Sequence, residues 1–174
     1  MKTLLLLLGS IPFVSGQITS IPNSSGSVTS VATGAGLSGG PITTTGTVAM
    51  TSNSRTRIIG AGFDGGGSAL VAGATAVTYF TVPYGCTISS WNVTVDTGTA
   101  SFDVWKIASG TAIPTSTNTI VASAPPTIST GTAANSSTLT GWTTTVTAND
   151  IFGVNLSAVS GATKASVTLA CLQP

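Results

Sequence analysis

Histidine and glutamate are absent from this chain of 174 residues, and its only acidic residues are the aspartates Asp64, Asp96, Asp103 and Asp150. Histidine is the commonest general base near neutral pH and the commonest protein ligand for zinc. Hydrolases mostly depend on pairs of carboxylates or on a histidine. We therefore predict that the protein is not an enzyme and holds neither a cofactor nor a metal ion.

Charged side chains make up only 5% of the chain, about a fifth of the share in an ordinary globular protein. The five cations are scattered along the sequence: Lys2, Arg55, Arg57, Lys106 and Lys164. Nucleic-acid binding needs a concentrated positive patch, so we do not expect it. Surfaces so poor in charge stay soluble when copies of the same chain or a larger assembly cover them. We therefore expect a homo-oligomer or a component of a particle.

Residues 1–16, MKTLLLLLGSIPFVSG, combine one positive residue with a broken apolar run and small residues at the end. This pattern is typical of a secretory signal peptide that is cleaved before Gln17. The alternative is a hydrophobic anchor that stays in the mature protein and packs into an assembly. The apolar run is too short for a stable membrane span. A change in composition divides the remainder into a connector at 17–57 and a domain at 58–174.

The connector is rich in glycine, serine and threonine, and its segment 27–50 contains no charged residue. β-Branched runs at 28–31 and 42–48 flank a glycine-rich centre, which predicts an extended β segment or shaft. A disordered segment is the alternative. The glycines at 34–39 also fit the spacing of a dinucleotide-binding loop. That interpretation fails because a proline follows instead of a helix, and no acidic residue occurs before Asp64.

The segment 27–50 contains V-T-S-V, then G-x-G-L-x-G-G-P-I-T, then G-T-V. In this order it resembles a short module of bacteriophage tail fibres and related virion structural proteins. Such a module lies in a fibre shaft or just before a distal domain. The resemblance implies an intertwined β structure, with a homotrimer favoured. Arg55 and Arg57 follow the module, and we expect both to be solvated boundary residues.

From Ile58 onward, short runs of alternating polar and apolar residues are separated by turns with glycine or proline. We predict about eight strands and no helix, hence an all-β fold: an extended N-terminal β segment followed by a jelly-roll-like β-sandwich. Residues 96–100 would turn the chain so that 87–95 and 101–107 form a hairpin. The other predicted strands lie at 58–63, 76–82, 119–123, 138–146, 151–156 and 167–171.

Three side chains are candidates for a binding surface, namely Trp105, Asp103 and Tyr84. If Phe102 and Val104 point into the core, Trp105 on the same strand points outward. An exposed ring there can stack on a sugar or anchor a protein contact. The alternative is a tryptophan that covers the edge of the core or lies against a loop.

Asp96 and Asp103 flank one predicted turn. We interpret them as solvated turn residues and not as the two catalytic carboxylates of a glycosidase.

Cys86 begins one predicted strand and Cys171 ends the last, so a disulfide is feasible if those ends adjoin. A secreted protein would favour the bond, whereas assembly in a reducing cytoplasm would favour two buried thiols.

The domain at 58–174 also resembles a distal β-sandwich of phage structural proteins, through V-P-Y-G-C-T-I, F-D-V-W-K, S-S-T-L-T-G-W and N-D-I-F-G-V-N-L in that order. Such domains bind receptors or carbohydrate, or serve as structural heads, and no catalytic residue carries over. The resemblance implies a virion protein, either a tail fibre or a receptor-binding protein. Its partners would be other virion proteins, copies of itself, and a host-surface glycan or protein. Two alternatives stay open: a capsid decoration protein, and a secreted bacterial carbohydrate-binding module.

Overall fold

The computed structural model describes residues 30–110 and 112–174. The predictions for the leader at 1–16, and for the connector as far as residue 29, lie outside the described residues. In the part that is described, strands account for nearly all regular structure. The prediction of an all-β fold is therefore confirmed.

Residues 30–50 form a small antiparallel unit, which we call the arm. A backbone bridge joins Val31 to Ile42, and strand β1 (Leu37–Ser38) pairs antiparallel with strand β2 (Ala49–Met50). The backbone N–H groups of Val31 and Ile42 each donate to the other residue's carbonyl at 2.9 Å. The arm is antiparallel β, but β1 and β2 lie outside the β-branched runs at 28–31 and 42–48, and only the bridge between Val31 and Ile42 falls within them.

The first sheet of the sandwich, which we call the front sheet, contains five antiparallel strands. β3 (Thr56–Asp64), β11 (Lys164–Leu172), β5 (Cys86–Val95) and β8 (Ala133–Ser136) lie side by side in that order. β9 (Thr145–Val146) pairs with the beginning of β5. β3 and β11 match over nine consecutive residue pairs, so β3 forms one edge of a long and regular ladder.

The second sheet, which we call the back sheet, contains four antiparallel strands. β4 (Val77–Val82), β10 (Asp150–Ser160), β6 (Thr99–Ile107) and β7 (Thr127–Ile128) follow one another across it. The two longest strands of this sheet, β10 and β6, form its centre. Each sheet thus has a C-terminal strand next to its N-terminal edge strand.

The strand order is that of a jelly roll. Without the short β9, the eight strands of the sandwich divide so that the first, eighth, third and sixth form the front sheet. The second, seventh, fourth and fifth form the back sheet. This arrangement is an antiparallel double sheet built from two Greek keys. The jelly-roll-like sandwich predicted from the sequence is therefore confirmed.

The core lies between the two sheets and is filled by alternate residues of the long strands. Phe80 stacks on Phe152 with ring centroids 5.5 Å apart, and Phe63 lies 5.9 Å from Phe102. Burial at every second position is the pattern expected where one face of a strand is packed and the other is not. The largest fully buried side chains are Phe102, Phe152, Ile88, Ile128, Leu156 and Leu169.

The predicted hairpin between 87–95 and 101–107 is wrong, because β5 belongs to the front sheet and β6 to the back sheet. The turn between them arches from one sheet to the other. Each strand has an apolar face and pairs instead with a long C-terminal strand, β5 with β11 and β6 with β10. Each of these pairs is longer than the pairing that β5 and β6 would form with each other. Gly98 allows the arch, since its φ is +71° and a Cβ atom at this position would clash with the Ser160 carbonyl oxygen.

The predicted strands at 119–123 and 138–146 are largely wrong. Ile120 donates its N–H to the Val104 carbonyl at 2.8 Å, but the positive φ of Ala122 ends this pairing at once. Of the second segment, only the last two residues form a strand, β9. The short strands β7 and β8 were missed because their few residues carry no clear alternation of polar and apolar side chains.

Two short helices correct the prediction that the chain has none. α1 (Ser52–Arg55) follows the arm, and a 3₁₀ turn (Ser116–Asn118) precedes the segment beside β6. Polar side chains hold the first turn of each: the hydroxyls of Thr51 and Ser54 lie 3.2 Å apart, and Thr115 N–H donates to Asn118 Oδ1 at 3.0 Å. Local side-chain bonds of this kind favour single turns without any helical pattern of apolar residues.

The expectation that Arg55 is solvated is wrong. Its Nη1 donates to the Gln173 carbonyl at 2.8 Å, and Gln173 N–H donates to the Arg55 carbonyl at 3.1 Å. The reason is that β3 begins where β11 ends, so the end of the chain lies beside Arg55. Arg57 is exposed, as predicted.

Cys86 and Cys171 form a disulfide, with their Cα atoms 5.6 Å apart. The bond joins the beginning of β5 to the end of β11 within the front sheet. The condition set by the sequence, that the two strand ends adjoin, is met. The alternative of two free thiols does not hold in this structure.

Candidate binding surfaces

Asp103 and Trp105 form one hydrogen-bonded unit on the outer face of the back sheet. Trp105 Nε1 donates to Asp103 Oδ2 at 2.6 Å, and the hydroxyl of Thr119 donates to Asp103 Oδ1. Thr119 also bridges the backbone of Trp105. One carboxylate therefore binds both the strand and the segment that follows the 3₁₀ turn.

The prediction that Trp105 offers an exposed ring is wrong, because the residue is only 5% exposed. Its ring lies over Gly153 of β10, where a Cβ atom would come within 3.1 Å of Trp105 Cε3. The 3₁₀ turn and the residues after it pack against β6 from the other side. Trp105 is therefore the tryptophan that lies against a loop, which was the alternative interpretation.

Tyr84 does not join this unit. It lies in the turn between β4 and β5, is partly buried, and packs against the core. The structure thus brings together two of the three predicted site residues, Asp103 and Trp105, and places the third elsewhere.

Tyr79 is the aromatic residue on this face that remains accessible, with 42% of its surface exposed. It lies opposite Gly153 on the other side from Trp105, and a Cβ atom at position 153 would come within 3.0 Å of its ring. The sequence signal was present, since Tyr79 alternates with the inward-facing Phe80. The sequence did not identify Tyr79 as a binding residue, because a single aromatic residue next to a buried one has no spacing that distinguishes it from an ordinary strand residue.

A second polar group lies at one end of the front sheet, around the arch after β5. Asp96 accepts hydrogen bonds from the N–H groups of Thr97, Thr163 and Lys164 at 2.9 to 3.1 Å and from the Thr163 hydroxyl. The hydroxyl of Thr163, followed by the amide of Lys164, lowers the pKa of Asp96 from 3.8 to about 2. Asp96 is therefore an acceptor committed to holding the arch.

Asp64 is exposed near the same end of the sheet. The Gly66 N–H donates to Asp64 Oδ1 at 2.8 Å, and Lys164 Nζ lies 3.4 Å from Oδ2. The Gly66 amide first, and then Lys164, lower the pKa of Asp64 below 3.8. Both carboxylates therefore carry their charge at neutral pH, so neither serves as a general acid.

These residues border a shallow depression of about 430 Å³ on the outer face of the front sheet. Its lining is open to solvent and mixes polar with apolar side chains, and the hydroxyls of Thr94 and Ser166 lie 2.7 Å apart. Among the described residues, no group of three or more histidine, cysteine or acidic side chains is arranged to hold a metal ion. The depression offers hydroxyl groups, small side chains and the partly buried ring of Phe63 for contact.

Asp150 and Lys106 form a partly buried ion pair at one end of the core. Lys106 Nζ lies 2.9 Å from Asp150 Oδ2, which also accepts the Thr147 N–H at 2.8 Å. Asp96, Asp103 and Asp150 each have their own hydrogen-bond partners at a different place. The interpretation of Asp96 and Asp103 as solvated is too simple, since both bind nearby backbone or side-chain groups.

The arm carries the largest concentration of exposed apolar side chains in the described chain. Val31, Leu37, Val48 and Met50 each keep 42% to 46% of their surface exposed. No charged residue lies between Ser30 and Met50. Large apolar side chains that cluster at a surface without charge indicate a site of contact with another molecule.

Within the described residues, none of the helices is long and apolar enough to cross a membrane. Comparison with protein-family models, with curated proteins and with solved structures finds no match to this chain.

Proposed function

We propose that the protein is a structural subunit of a bacteriophage particle, a tail fibre or receptor-binding protein that acts by adhesion. In this proposal, the arm assembles the subunits and the jelly roll is presented to the host surface. The main support for this proposal is the arm, in which four large apolar side chains keep 42% to 46% of their surface exposed and no residue is charged.

The energetics of the arm favour assembly. Burying an apolar side chain of this size stabilises a contact by about 1.5–3 kcal/mol relative to full exposure. Four half-exposed residues therefore supply several kcal/mol per subunit when copies of the arm cover one another. The two-residue strands β1 and β2 are too short for an independent sheet, and pairing with further copies would extend them.

The sandwich supports a binding role without chemistry. Jelly rolls occur in viral capsid proteins and in lectins, although a fold alone does not decide function. The outer face of the front sheet carries hydroxyl and small side chains, among them Thr94 and Ser166, and Tyr79 adds one accessible ring on the back sheet. These groups suit contact with a glycan or with a protein surface.

The test uses particles and full-length protein together. Quantitative mass spectrometry of purified virions should give tens of copies per particle, and purified full-length protein should adhere to the cells that those virions infect. Hundreds of copies would instead identify a capsid decoration protein. Protein that is absent from virions and does not adhere would overturn the proposal.

The disulfide supports a second candidate, a secreted bacterial carbohydrate-binding module. Disulfides persist in oxidising compartments, including the cell exterior and virion surfaces. Cys86 and Cys171 are bonded and buried, as expected of a structural bridge in such a compartment. The intact mass of protein recovered from culture medium distinguishes the candidates. A chain that starts at Gln17 and occurs without particles would favour the module.

A further inference from the structure

β3 leaves one side of the front sheet unpaired. It is the first strand of the order β3-β11-β5-β8, and no strand lies on its other side among the described residues. Every second residue of such an edge directs its backbone N–H and C=O groups away from the sheet. These groups are able to accept a further strand.

The edge lacks the features that usually prevent strand addition. Its pairing with β11 has no bulge over nine residues, and between Ile58 and Phe63 it has neither proline nor a charged side chain. The edges on the opposite side of the sandwich are short, since β7 has two residues and β8 four. β4, the remaining edge strand of the sandwich, has six residues, so β3 with nine is the longest edge strand of the described chain.

Charges of opposite sign mark the two ends of β3. Arg57 is the second residue of the strand and Asp64 is the last. A parallel, in-register orientation would place each of these charges beside the same charge of the partner subunit, whereas an antiparallel orientation keeps the like charges apart. Repulsion between like charges on neighbouring strands therefore favours the antiparallel orientation.

The outer face of β3 has a matching shape. Even-numbered residues face outward, and Ile58 is 64% exposed. A pairing with full overlap centres on Gly60 and places Ile58 opposite Gly62 of the partner subunit. A Cβ atom at Gly62 would meet only the Ser166 Cβ, at 3.9 Å, so the space above this glycine is open. The exposed isoleucine of each copy thus fits the open space of the other.

We propose that two copies of the chain pair antiparallel through β3, with Ile58 against Gly62 of the partner subunit. The two front sheets then form one continuous sheet across a two-fold axis at Gly60. Strand pairing of this extent is a small interface, so the dissociation constant should be on the order of 10 µM. The pairing uses no residue of the arm and is independent of the proposed particle role.

Cross-linking of full-length protein tests the register. In antiparallel pairs, facing Cα atoms lie about 4.5–5.5 Å apart, which allows a disulfide. An equal mixture of the Ile58→Cys and Gly62→Cys variants should give a covalent dimer on mild oxidation, in larger yield than either variant alone. The control is a mixture of Ile113→Cys with Gly62→Cys, because Ile113 is 58% exposed and belongs to the segment that follows β6 of the back sheet.

A second variant tests the inference through the strength of dimerisation. Gly62→Arg has room to fold as a monomer but places a side chain where Ile58 of the partner subunit would lie. It should weaken the dimer by about tenfold or more in sedimentation, while Ile113→Lys leaves it unchanged. Equal yields for all cysteine mixtures, or no effect of Gly62→Arg, would overturn the inference. The same cross-linking in the double variant Leu37→Asp, Met50→Asp, whose arm should no longer assemble, would show that pairing through β3 does not depend on the assembly proposed above.

Discussion

Trp105 is buried because its neighbours leave room for it. Gly153 has no side chain beneath the ring, and Asp103 accepts its indole N–H at 2.6 Å. The alternation of Phe102 and Val104 predicts correctly that Trp105 faces away from the core. It does not show that the outer face is itself covered, because the glycine and the loop that cover it lie 48 and 14 residues further along the chain, at Gly153 and Thr119.

The Asp103–Trp105 bond should act on stability instead of binding. Asp103→Ala leaves a buried indole N–H without a partner, which costs about 1–3 kcal/mol. Trp105→Phe removes that donor, so adding Asp103→Ala to it should cost clearly less than adding it to the wild type. Urea unfolding of the two single variants and the double variant measures this coupling. Equal costs in both backgrounds would show that the bond does not stabilise the fold.

Asp96 should make stability depend on acid pH. Its pKa is lowered from 3.8 to about 2 in the folded state, so its contribution is complete above pH 3.8 and is lost as the pH falls towards 2. Thr163→Val removes the largest cause of the lowered pKa. The wild-type unfolding temperature should therefore fall more steeply between pH 4 and pH 2 than that of Thr163→Val. Parallel curves for the two proteins would contradict the assignment.

The long strands were predictable because one face of each is apolar. β5, β10 and β11 all lie close to their predicted positions, since residues such as Val93, Phe152 and Val167 alternate with polar ones. Their neighbours were not predictable, because alternation shows which side of a strand is buried and carries no information on which strand lies beside it. For this reason the sequence pattern predicted a hairpin turn where the structure has the arch between β5 and β6.

The arch predicts a strong effect at one glycine. Gly98 and Gly131 both have positive φ, +71° and +77°, but an added Cβ atom would meet the Ser160 carbonyl oxygen at Gly98 and nothing within 4 Å at Gly131. Gly131→Ala should cost about 1–2 kcal/mol for backbone strain. Gly98→Ala should cost at least about 2 kcal/mol more, since the added methyl also displaces the neighbouring turn. Urea unfolding compares the two, and equal costs would contradict the close approach.

At the scale of the whole molecule, the scarcity of charged side chains and the exposed apolar side chains of the arm both support the proposed assembly. Five of the nine charged side chains lie near the two ends of β3, namely Arg55, Arg57, Asp64, Asp96 and Lys164. The other three charged residues of the described chain, Asp103, Lys106 and Asp150, are partly or fully buried. The composition predicts that copies or partners cover part of the surface, but it does not indicate which part. In the proposed assembly that part is the arm, where Leu37 and Met50 are exposed.

The most direct test of assembly through the arm is the mass of the full-length protein in solution, measured by sedimentation at about 0.5 µM, well below the dissociation constant expected for pairing through β3. The wild type should be a trimer, and so should the control Val71→Asp, which changes an exposed apolar residue of the sandwich. The double variant Leu37→Asp, Met50→Asp should lose the trimer because charge on the arm opposes its burial. A monomeric wild type, or a double variant that keeps the wild-type mass, would contradict the account.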